Sequence, residues 1–118
     1  QWMIHAYLND NIWARFVDSF YVRASSSPFV APLFADKDMA DIKRKFLATL
    51  LIMCDKGVDE RAAANLIDKH LHLNMSEAAY DATMNALEET LVQYRVPEET
   101  IGQFVPMIDY FRDEMVAA

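Results

Sequence analysis

Two glycines and four prolines are all that interrupt this 118-residue sequence, and between them apolar residues return every three or four positions. That spacing places them on one face of an α-helix, and no segment shows the alternation of a half-buried strand. The chain therefore reads as all-α, in one domain spanning residues 1–118. Trp13, Phe16, Val17, Phe20 and Tyr21 form one face of a helix over 11–24. The turn Ser25-Ser26-Ser27-Pro28 ends it and leads into a short helix or turn running to Phe34. Asp38 is an N-cap candidate for the next helix, where Met39, Ile42, Phe46, Leu50 and Met53 make the apolar stripe and Gly57 fits the end. A shorter helix is expected over 60–71. Ser76 opens a fifth, with Tyr80, Met84, Leu87 and Leu91 on one side. Val96-Pro97-Glu98-Glu99 marks the boundary to a last helix over 97–116, with Pro97 in the first turn and two acids at the positive end of the helix dipole. Pro106, inside that helix, predicts a local kink.

Charge and cysteine content exclude several function classes. The formal charge is −7, with eleven Lys and Arg. This argues against nucleic acid or an anionic membrane surface as partner, because phosphate binding needs clustered cations. No apolar run is long enough for membrane insertion, and no signal peptide is evident. The lone Cys54 rules out an internal disulfide and suits a reducing compartment, so the expectation is cytoplasmic. Seven Met and seven Phe are many for one small core. They fit a Met-rich core, in which Met fills gaps, or a core built around something large and flat.

No metal, nucleophile or phosphate motif declares itself. His70 and His72 are two apart and point to roughly opposite sides of a helix, so both cannot face one site. No paired-His or Cys-x-x-Cys spacing suggests zinc. Cys54 has no catalytic context, and the carboxylates lie scattered over what read as solvated helix faces. The residues by themselves give a helical domain and no chemistry.

A resemblance takes the reading further. Phe20-Tyr21-Val22-Arg23, then Pro28-Phe29, then Leu33-Phe34-Ala35-Asp36-Lys37-Asp38-Met39, resembles the second helix, corner and distal-helix start of a truncated haemoglobin. His70-Leu71-His72-Leu73-Asn74-Met75-Ser76-Glu77 leading to Tyr80-Asp81 is similar to the family's proximal histidine and next helix. Val96-Pro97-Glu98-Glu99 matches its last helix boundary. Together these cover about residues 12–112. The sequence departs from the pattern between the distal helix and His70, where the paired glycines and the Tyr-x-Gly are missing. It also lacks the Gly-Gly near the family's N-terminus. Thr83 stands where two of the three main subgroups have Trp, which leans toward the first subgroup.

The resemblance implies a globin-like two-over-two helical sandwich holding haem b, iron protoporphyrin IX, with His70 as the metal ligand. Neutral imidazole suits the fifth position of iron and leaves the sixth for a gas. Phe34, Lys45, Phe46, Leu50, Leu66, Met75, Tyr80, Thr83, Leu87, Phe104 and Ile108 would contact the cofactor. Tyr21, Ile42 and Phe46 would form the distal ligand pocket. With Ile42 and Phe46 apolar, Tyr21 is the expected hydrogen-bond donor to the ligand. Lys45 falls where some relatives place a residue that can swing in as a sixth ligand; a solvated or propionate-paired Lys45 is the preferred expectation. The implied function is reversible binding of a diatomic gas, oxygen or nitric oxide. Nitric oxide dioxygenase-type activity would require an external reductase as partner. The alternative is a globin-like sensor or interaction module, with or without haem, excised from a larger protein; the Gln1 start and the atypical loop motivate it.

Overall fold

A computed structural model describes residues 10–56, 75–109 and 112–116. The described residues form helices α1 (Asp10–Ser25), α2 (Ala31–Phe34), α3 (Met39–Lys56), α4 (Glu77–Gln93), α5 (Glu98–Asp109) and α6 (Arg112–Met115). Among them no strand occurs, only an isolated parallel bridge between Met75 and Val116. The expected helix over 60–71, with Leu66 and His70, lies outside the described residues, as do His72 and Gly57. So do the side chains of Leu50 and Met53.

Helix α1 is the centre of the packing. Its stripe Trp13, Phe16, Val17, Phe20, Tyr21 and Ala24 is buried throughout, at the three- and four-residue spacing that makes one continuous face. That face packs on α4, while α3 and α2 lean on α1 from other directions and α5 packs on α4. From α4 come Ala79, Tyr80, Ala86, Leu87, Thr90 and Leu91, and from α5 Thr100, Phe104 and Ile108. Rings interlock along the seam. Trp13 meets Phe16 edge-on at 5.1 Å, and Phe16 meets Tyr94 at 5.7 Å. These separations suit the edge-to-face arrangement aromatic quadrupoles favour.

Helix ends follow local chemistry. Asp38 Oδ1 accepts from the Asp41 N–H at 3.3 Å, and Ser76 Oγ accepts from the Ala79 N–H at 3.1 Å, so both capping residues perform as expected. Ser76→Ala should therefore cost about 1 kcal/mol, which a thermal melt would register as a fall of roughly 4 °C. At the far end of α4 the Arg95 N–H bonds the Val92 carbonyl and the Val96 N–H bonds the Leu91 carbonyl, a Schellman closure. It requires a left-handed residue, and Arg95 takes it at φ 61° in place of the usual glycine. Helix α5 runs through Pro106 to Asp109, and the short α6 follows. The single helix expected over 97–116 is thus described as two pieces, with residues 110 and 111 outside the description.

The described side chains of α3 are only partly covered. Met39, Ile42, Phe46 and Leu47 are only half-buried. Among the described residues α3 packs on α1 and has no more than marginal contact with α4 or α5. No described helix is long and apolar enough to cross a membrane.

Candidate functional site

The half-covered face of α3 meets the inner end of α1 around one phenol. Tyr21 belongs to the buried stripe of α1, and its ring also meets α2 and α3. Phe34 of α2 stands edge-on to it at 5.6 Å, and Phe46 of α3 does so at 5.8 Å. Phe20 touches both Tyr21, at 4.9 Å, and Phe46, at 5.5 Å. The result is a phenol ring enclosed by three phenyl rings, with Ile42 one turn before Phe46 on α3.

The hydroxyl of this phenol is the chemically distinctive atom. Tyr21 is 7% exposed, and burial raises its pKa well above the ordinary phenol value. Desolvation penalises the phenolate, so the group stays a neutral O–H donor at any physiological pH. No described residue accepts a hydrogen bond from it, and Phe20, Phe34, Ile42 and Phe46 have no side-chain acceptor to offer. A donor held in apolar surroundings bonds strongly to whatever acceptor reaches it.

Lys45, on the same helix, is engaged elsewhere. Its ammonium lies 2.8 Å from Asp41 Oδ2, four residues back, and its side chain is largely exposed. Hydrogen bonds from Lys45 and then Arg44 hold the Asp41 carboxyl below the ordinary range. Lys43 reaches across to Asp18 of α1 at 3.2 Å. Sequence reasoning missed the Asp41–Lys45 pair, for which the i,i+4 spacing of the two residues was the signal.

The remaining described residues expected to contact a cofactor belong to α4, α5 and the residue just before α4. Met75, Tyr80, Leu87, Phe104 and Ile108 are buried members of the same continuous core as Tyr21, with Phe34, Ile42 and Phe46 packed against it. Thr83 is half-buried and its hydroxyl donates to the Ala79 carbonyl at 2.8 Å, so it presents mainly its methyl group. Tyr80 contributes its ring alone. Its hydroxyl points outward and donates to Asp109 Oδ1 at 2.9 Å; burial, then the Asp109 hydrogen bond, raises its pKa. Sequence reasoning did not single out Phe20 as part of this cluster. Its signal was present, because an aromatic pair at adjacent helical positions can serve a core seam and a neighbouring pocket at once.

The chain matches a family described as bacterial-like globin over residues 9–117. No curated protein matches the chain.

Proposed function

The chain belongs to the bacterial-like globin family, and on that premise we propose that it holds haem b through His70 and binds a diatomic gas, oxygen first, beside the Tyr21 hydroxyl. Membership implies haem binding in general. The observation that carries the finer reading is the buried Tyr21 side chain, walled by Phe20, Phe34 and Phe46, whose hydroxyl has no acceptor among the described residues. An O–H donor among apolar rings bonds strongly to an acceptor that reaches it, and a polarised gas ligand is such an acceptor.

The described residues fit the cofactor. Haem is a flat apolar disc with two anionic groups. Half-buried Ile42 and Phe46 on α3, together with Phe34, offer apolar surface that the protein itself covers only in part. When bound, haem supplies an iron whose open position takes the gas. The chain's own tasks are then distinct. His70 holds the iron, Ile42 and Phe46 exclude water, and Tyr21 donates one proton, in a hydrogen bond, without releasing it. Lys45, paired with Asp41 at the surface, serves in this reading as a solvated cation near the cofactor's acidic edge.

Absorption spectra of the purified, haem-reconstituted protein in the ferric, ferrous and carbon monoxide forms test the proposal. A Soret band that moves between the three forms is expected. Unchanged free-haem spectra would end it. In the same experiment, Lys45→Ala should leave the ferric spectrum at neutral pH unaltered. A lysine must lose its proton to bind metal, and the Lys45 ammonium is paired with Asp41 at 2.8 Å. A low-spin ferric signal abolished by Lys45→Ala, and by no other change, would contradict this.

A further inference from the structure

The C-terminal residues are fastened to the start of α4 at several points that the gas-binding reading does not use. Arg112 Nη1 donates to Asp81 Oδ1 at 2.8 Å, and Nη2 lies 3.6 Å from Glu77 Oε1. The same guanidinium sits 4.7 Å above the Tyr80 ring, whose hydroxyl donates to Asp109 at 2.9 Å. Val116 forms the parallel bridge with Met75, and its N–H bonds the Arg112 carbonyl at 3.0 Å. Glu77, Tyr80 and Asp81 are one helical turn of neighbours on a single face of α4. Met75 is buried and immediately precedes the capping Ser76.

We propose that this arrangement is a clamp, with Arg112 as a positioning residue that fixes where the chain leading from His70 enters α4. The proposal rests on the assignment of His70 made above. A single exposed ion pair would do little. Here one planar guanidinium engages two carboxylates and an aromatic face together, which specifies orientation as well as proximity. His70 stands five residues before Met75, and five residues reach at most about 18 Å. A shift of Met75 therefore has a short tether through which to alter the imidazole. Groups outside the coordination sphere that orient a ligand affect metal affinity as well as geometry.

The test uses the ferrous, ligand-free holoprotein and reads the iron–histidine stretching band by resonance Raman, with haem transfer to an excess of an apoglobin acceptor as a second measurement. Arg112→Met should shift and broaden the band and speed haem loss roughly tenfold. Arg112→Lys should fall between, since an ammonium keeps the charge and loses the fork. Arg23→Met is the matched control, because Arg23 bonds Thr90 and Gln93 near the opposite end of α4. It should lower thermal stability and leave the band in place. If Arg112→Met fails to fold, Asp81→Asn and Tyr80→Phe each remove one bond of the clamp and should displace the band in the same direction. A band unmoved by all the variants that fold, yet lost in His70→Ala, overturns the clamp alone. A band that survives His70→Ala overturns the ligand assignment and the clamp with it.

Discussion

Tyr21→Phe is expected to release oxygen about ten- to a hundredfold faster than the parent protein, with carbon monoxide release nearly unchanged. The estimate starts from the worth of a hydrogen bond to a charged or strongly polarised group, roughly 1.5–3 kcal/mol. Each 1.4 kcal/mol is a factor of about ten. The substitution removes one oxygen atom and keeps the ring, so the contacts with Phe20, Phe34 and Phe46 survive. It also breaks no hydrogen bond to a described residue, so folding stability should hardly fall. Carbon monoxide accepts hydrogen bonds far more weakly than oxygen when bound, and it therefore controls for any loosening of the pocket. Stopped-flow measurement of both dissociation rates decides the matter. Equal changes for the two gases would reduce Tyr21 to a packing residue.

His70→Ala is expected to abolish ordinary haem retention, and added imidazole should restore it. His72→Ala should leave the spectrum intact, because residues two apart on a helix point in nearly opposite directions. A ligand that binds only the folded state raises its stability in proportion to the logarithm of affinity. A hundredfold loss of haem affinity would thus remove about 2.7 kcal/mol of haem-dependent stabilisation. Thermal melts with and without haem should show a large difference for the parent chain and a small one for His70→Ala. An unchanged ferrous spectrum in His70→Ala, together with haem loss in His72→Ala, would transfer the ligand role to the other histidine.

The sequence and the structure agree most closely where the relevant interactions are local. Ser76 and Asp38 cap helices because their side chains reach N–H groups three residues on, within a single turn. The Trp13-to-Tyr21 stripe is buried because its spacing alone defines a face. Other positions resisted the same reasoning. Thr90 is fully buried although its side chain reads as polar; its hydroxyl returns to the Ala86 carbonyl at 2.6 Å, which lets the methyl face the core. Arg95 closes α4 in a conformation for which glycine would be expected. Its neighbours Tyr94, edge-on to Phe16, and Val96, buried, hold the turn from either side.

The sequence by itself determined that this chain is helical, where most of its described helices begin, and which faces turn inward. Each of those rests on atoms within about four residues of one another. Only the tertiary structure decided that Tyr21 is enclosed by Phe34 and Phe46, that the Tyr80 hydroxyl turns out to Asp109, and that Arg112 grips Glu77 and Asp81. These contacts join residues separated by up to 35 positions, and no periodicity encodes them. Whether a hydroxyl is a free donor or a satisfied one depends on which distant helix removes its water and whether that helix brings an acceptor. At Tyr21 the described helices bring only hydrocarbon, and at Tyr80 one of them brings a carboxylate.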